Sequence, residues 1–245
     1  MKRLNLETPE GDTPYTIAHR PRVTKRLHME LDEAGELVVV APGHWSHAYI
    51  GAMLAQNSHR ISRFLARARP RQVRPLQFVQ AELHYYLGQQ FPLNIHLCAG
   101  GRPIVRLAEG QFHIHTPSPE AGKIQSSLQS WYRQKAAEIF SNSLQRLAAV
   151  APWASGRIIP FKLRKMKRSW GNCSADGVIK LNTHLVKTPP ALISYVISHE
   201  LCHLQEMNHG PRFYALLGSL CPEWRQQRAT LNATAYRYLL NRGVY

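Results

Sequence analysis

The feature that most constrains this chain lies at residues 191–207, ALISYVISHELCHLQEM. Leu192, Ile193, Val196, Ile197, Leu201 and Leu204 recur there at the spacing of a buried helix face. Thr188-Pro189-Pro190 supplies a start, since proline is tolerated in a first turn, and Asn208 and Gly210 are places for the helix to end. Within this apolar run sit His199, Glu200 and His203. Burying such groups is costly unless they are paired or bound to a metal. The chain must therefore bury the helix and still satisfy three polar side chains on it.

The spacing says how. Residues four apart lie on the same helix face, one turn above each other, so His199 and His203 can both reach one ion. Zinc suits imidazole ligands, and Glu200, projecting nearby, is free to act as a base toward water. A catalytic zinc usually takes three protein ligands and leaves a fourth position open. His209, six residues past His203 and beyond the expected helix end, is the preferred third ligand; Glu206, three residues past His203, competes for that place. Nickel could occupy the same histidines. The expected metal set is thus His199, His203 and His209, with Glu200 catalytic.

The stretch HELCHLQEMNHGPRFY resembles the signature of the YgjP-like family of metal-dependent hydrolases, relatives of the SprT-like metalloproteases. Upstream, KLRKMKRSWGNCSADGVIKLNTHLV is similar to the family's Trp-Gly-Ser-Cys-Ser core, which here reads Trp170-Gly171-Asn172-Cys173-Ser174. Arg168-Ser169 precedes Trp170 where the family usually has Ser-Arg. HYYLGQQFPL, with Gly88, is a weaker likeness. The resemblance implies a zincin-like catalytic half, an N-terminal β-rich half and no settled substrate.

The rest of the chain reads as α+β. Residues 1–120 form a mostly antiparallel β-rich part with a crossing helix, and residues 121–245 a mainly helical part that carries the histidine helix. LHMELDEAGELVVVA (27–41) reads as a hairpin turning at Ala34-Gly35. Ser46 caps a helix running to about Arg69. PLQFVQ, FPLNIHLCA, IVRL and QFHIHT read as short strands between 75 and 117. A long helix covers about Lys123 to Val150, a strand Ile158 to Leu163, another Val178 to Leu181, and two last helices Arg212–Cys221 and Glu223–Asn241.

Charge adds a second line of argument. The chain carries 31 Lys and Arg against 15 Asp and Glu, and the excess is uneven: 17 basic against 5 acidic residues from 121 onward. Lys162, Arg164, Lys165, Lys167 and Arg168 lie within seven residues, a candidate lip for phosphate or acidic segments, or simply a solvated strand edge. Nucleic acid or another polyanion is thus a candidate partner of the basic half, beside a peptide or protein substrate. No apolar run is long enough to span a membrane, and none follows the basic start, so no membrane segment or secretory signal is expected. Cys98, Cys173, Cys202 and Cys221 lack CxxC spacing, which fits reduced thiols in the cytoplasm. Cys202 reads as a small buried residue, and Trp170 and Tyr132 as core aromatics. Tyr195, Arg212, Tyr214 and Lys165 are the candidates for stabilising an oxyanion, with no basis for choosing among them.

Two functions follow. The first is zinc-dependent hydrolysis of an amide bond, with Glu200 as general base. The second is a nucleic-acid-associated binding protein whose metal site is mainly structural, closed by a fourth ligand such as Glu206.

Overall fold

A computed structural model describes residues 3–9, 11–20, 26–32, 36–68, 75–166 and 169–239. The chain divides into two compact units, Met1–Arg74 and Pro75–Tyr245.

The first unit is a four-stranded sheet, β1 (Arg3–Thr8), β2 (Gly11–His19), β3 (His28–Leu31) and β4 (Leu37–Ala41), in the order β1-β2-β4-β3. β3 and β4 pair antiparallel, as the hairpin reading requires, while the Ala34-Gly35 turn lies outside the described residues. β2 and β4 pair parallel. The expected single helix is two: α1 (His47–Gln56), capped by the Ser46 hydroxyl accepting from the Tyr49 N–H at 3.2 Å, and α2 (Ser58–Ala68). Asn57 makes the break. Its N–H turns back to the Leu54 carbonyl and its side-chain amide donates to the Met53 carbonyl at 2.8 Å, taking acceptors a continuing helix would need. Ile50, Leu54, Ile61 and Leu65 bury against Leu37 and Val39.

The second unit holds the histidine helix. Strands β5 (Leu83–Tyr86), β6 (Gln89–Leu97), β7 (Ile104–Ala108) and β8 (Gln111–Thr116) form a sheet in the order β5-β6-β8-β7, with β6 and β8 parallel. Leu93, Phe112 and Ile114 point to one face, and the long helix α3 (Ala121–Val150) covers it with Ile124, Leu128, Trp131 and Tyr132. These strands share a core with α3, so the change of texture near residue 120 is the start of a covering helix inside the unit. The expected strand at PLQFVQ does not form. The Glu82 carboxylate instead accepts from the backbone N–H groups of Gln77 and Phe78, at 2.6 and 2.7 Å, and holds that segment as a loop.

A second sheet of β9 (Phe161–Arg164), β10 (Gly171–Cys173) and β11 (Ile179–Asn182) has the order β10-β11-β9. The strand expected from Ile158 starts only at Phe161, and Ile158 is 97% exposed. A 3₁₀ turn, Thr183–Lys187, leads into α4 (Pro190–Cys202), followed by α5 (Pro211–Leu220) and α6 (Trp224–Leu239). The start of α4 is held by the β5–β6 turn. Leu87 and Gly88 donate to the carbonyls of Val186 and Lys187, and Gly88 adopts φ +85° so close to Pro189 that a Cβ there would lie 2.7 Å from the proline Cγ. Among the described residues no helix is long and apolar enough to cross a membrane.

Candidate metal centre

α4 stops a full turn earlier than its apolar pattern suggests. The last helical residue is Cys202, and His203 is the C-cap. The Leu201 carbonyl is taken by the Trp153 indole N–H at 3.0 Å, and the N–H groups of Leu204, Gln205 and Glu206 turn back onto Leu201 and Cys202. The chain therefore curls at once beneath the helix end, and Gly210-Pro211 starts α5 immediately after His209.

This curl brings His199, His203 and His209 together. One ring nitrogen from each lies within 4.8 Å of the others, and the ring centroids are 4.8 to 5.0 Å apart. His199 Nε2 and His209 Nε2 are 3.1 Å apart. His203 Nδ1 lies 3.0 Å from the Glu206 carbonyl oxygen. That oxygen only accepts, so Nδ1 carries the proton and Nε2 keeps its lone pair for an ion. Glu206 thus enters through its backbone, and its carboxylate lies 4.0 Å from the Arg212 guanidinium instead. Phe213, fully buried on α5, lies under all three rings with centroids at 4.6 to 4.9 Å. Its place eleven residues after Cys202, the last residue of α4, carries no sequence signal of that role.

Glu200 is 4% exposed, and its Oε2 is buried without a hydrogen-bond partner. Burial pushes its carboxyl up to about 8. Gly171 of β10 packs directly on it: a Cβ at Gly171 would meet Glu200 Oε1 at 2.7 Å and Cγ at 2.8 Å. Asn182 sets that approach. It is fully buried, its amide donates to the carbonyls of Met166 and Ser169 at 2.9 Å each, and its backbone N–H donates to the Trp170 carbonyl at 2.8 Å. An asparagine ending an apolar strand was the available signal for this latch.

Beside these groups opens a cleft of about 190 Å³, with His199 and Glu200 on one wall and Trp170, Tyr195, Arg228 and Asn232 around it. His199 is lowered to about 4, first by burial, then by the charges of His203, His209 and Arg228. His209 is lowered by burial and by His203 and Arg228. Burial raises Tyr195, with Arg228 opposing.

Of the four oxyanion candidates, only Tyr195 lines this cleft. Arg212 is 89% exposed, Tyr214 stacks on Trp224 at 4.8 Å, and Lys165 bonds the Gln129 side chain. Arg228, which lines the cleft from α6, stood outside the sequence candidates. Lys162, Arg164 and Lys165 are exposed at the edge strand β9 and just past it, while Lys167 and Arg168 lie outside the described residues. Cys202 is fully buried, Tyr132 is core, and Trp170 is half-buried. His113 and His115 stack with His96 on β6 and β8, away from the triad's elements. Among the described residues the triad is the one group of three or more metal-capable side chains brought together.

Curated proteins give no match to the chain. Among solved structures it is similar to the metallopeptidase zymogen abylysin of Pyrococcus abyssi, at 20% identity and TM-score 0.34, over 38% of this chain and 92% of that one. It is also similar to the metallopeptidase zymogen jannalysin of Methanocaldococcus jannaschii, at 23% identity and TM-score 0.30, over 38% and 93%. Residues 25–234 match the family described as YgjP-like, metallopeptidase domain, and the chain belongs to that family.

Proposed function

We propose that the chain is a zinc-dependent peptidase in which His199, His203 and His209 hold the ion and Glu200 is the general base. The observation that carries this reading is the convergence of three imidazoles beside a buried carboxyl oxygen that has no protein partner. The donor set fits zinc: three neutral nitrogens, one of them with its tautomer fixed by the Glu206 carbonyl, and no fourth side chain closing the group among the described residues. That open side favours catalysis over a purely structural ion.

Zinc held there supplies Lewis-acid polarisation of a carbonyl and a lowered pKa for water, near 7. The chain's own residues do the rest. Gly171 holds the Glu200 carboxyl from behind, and an ion held by the histidines would favour its ionised form against the effect of burial. Glu200 takes a proton from the attacking water as the new C–O bond forms. It then delivers that proton to the leaving amine nitrogen as the C–N bond breaks. Among the described residues β10 is an edge strand, so beside Glu200 it offers a strand edge that an extended peptide can bond. This supports a peptide over a compact small molecule.

The test is Glu200→Gln. Zinc content should stay at the level of the unchanged protein while peptide turnover falls by about 10²- to 10⁴-fold, the span typical of a lost general base. Retained turnover would remove Glu200 from this role.

A further inference from the structure

The cleft beside the triad is lopsided in charge. Its one carboxylate, Glu200, is buried behind Gly171. Facing it from α6 is Arg228, an exposed guanidinium whose charge acts on His199, His209 and Tyr195. Among the described residues no carboxylate lies within ion-pair distance of Arg228. A cation turned toward a metal-binding group, with no protein counter-ion, is repelled by any ion held there unless an anion lies between them. Asn232, four residues further along α6, shares its face and also lines the cleft. Together they present the planar donor fork of an arginine and a side-chain amide, a set that matches a carboxylate. Arg225 is turned elsewhere, over the Trp224 ring at 4.5 Å, so Arg228 is the basic residue of this helix that serves the cleft.

We propose that Arg228, helped by Asn232, forms an anion subsite that binds a carboxylate of the peptide substrate next to the bond being cut. This rests on the peptidase reading above and narrows it to peptides with an acidic group at that position. The carboxylate can come from an Asp or Glu side chain or from the peptide's free C-terminus, and the two are chemically alike to a guanidinium. Arg228 acts as a specificity residue: it binds the ground state of the substrate and so is expressed in KM.

The experiment measures equilibrium binding to the full chain, loaded with zinc and carrying Glu200→Gln so that nothing is turned over. Three matched peptides serve as probes: one amidated and containing Glu, one amidated with Gln in its place, and the Gln peptide with a free carboxylate. One of the two acidic peptides should bind about 10-fold tighter than the neutral one, and which of them does identifies the source of the carboxylate. Adding Arg228→Gln should abolish that preference while zinc content, melting temperature and neutral-peptide affinity stay unchanged. Arg228→Lys should keep part of it, because charge remains and the fork is lost. Equal binding of all three peptides, or a preference that survives Arg228→Gln, overturns the subsite. In the turnover-competent protein, a fall in kcat for every peptide with KM unchanged also overturns it, assigning Arg228 to the reacting oxygen instead. Failure of the peptidase reading looks different: no peptide is cut, while the binding arms still report on Arg228.

Discussion

Gly171 and Glu200 are packed so closely that a methyl group on the glycine would lie 2.7 Å from Glu200 Oε1. The backbone of β10 and the carboxyl on α4 therefore position each other. Gly171→Ala must displace the carboxyl or the strand. Peptide turnover should fall at least about 10-fold while bound zinc is retained, because an error near 1 Å at a reacting group is enough for such a loss. Steady-state kinetics beside metal analysis check this; unchanged kcat would show that the Glu200 position is unimportant.

Phe213 supports three imidazoles at once, from a fully buried position. Phe213→Ala should cost about 3–5 kcal/mol of stability, as for other buried aromatics cut to alanine. Zinc affinity should fall with it, since the rings lose the surface that orients them. Urea unfolding and competition with a chromogenic chelator measure the two effects. A stable variant with unaltered zinc affinity would show that the ring merely fills space.

Asn182→Ala removes two amide donors from the Met166 and Ser169 carbonyls and an acceptor from the His184 N–H. Leaving buried groups unpaired costs about 1–3 kcal/mol each. The variant should be destabilised by roughly 2–4 kcal/mol, and its kcat should fall more than its zinc content, because the latch sets Trp170 and Gly171 rather than the histidines. Equal loss of both would place the effect in the whole sheet.

His84 and His184 predict a stability that falls in acid. Burial lowers His184 to about 3, aided by Lys187 and Lys165, and lowers His84 to about 4 against the opposing pull of Glu82. Unfolded, both titrate near 6.5. Their neutral forms therefore contribute stability that is complete above about pH 6.5 and is lost as pH falls toward 4. Each can add a slope of up to about 1.4 kcal/mol per pH unit in that window. Urea midpoints between pH 7 and 4.5 should show the decline, and His184→Gln should flatten it. An unchanged slope in that variant would exclude His184.

The parts of this molecule that could be read from its residues are those governed by one helix or one strand at a time. The meeting of His199 and His203 follows from their four-residue spacing, and the β3–β4 hairpin and α3 follow from local periodicity. What escaped reading depends on groups far apart in the chain. The early end of α4 needs the Trp153 indole on the Leu201 carbonyl, a contact across 48 residues. The parallel pairing of β2 with β4 and of β6 with β8 has no local signature. Arg228 is one arginine among many until α6 sets it beside His199. The break at Asn57 was legible in principle, since asparagine readily competes for helix carbonyls.

The Gly88–Pro189 contact has a mechanical consequence. It fixes α4 at one end, and the imidazoles hang from the other. His199 lies ten residues from Pro189, about 15 Å along the axis. The helix is thus a lever whose fulcrum is a turn with no reactive group in it. A change of pitch of about 5° at that fulcrum would swing His199 by roughly 1.3 Å. Any side chain at position 88 that pushes Pro189 aside would be felt as a displaced imidazole at the far end, so part of the geometry of the histidine cluster is written in a glycine of the β5–β6 turn.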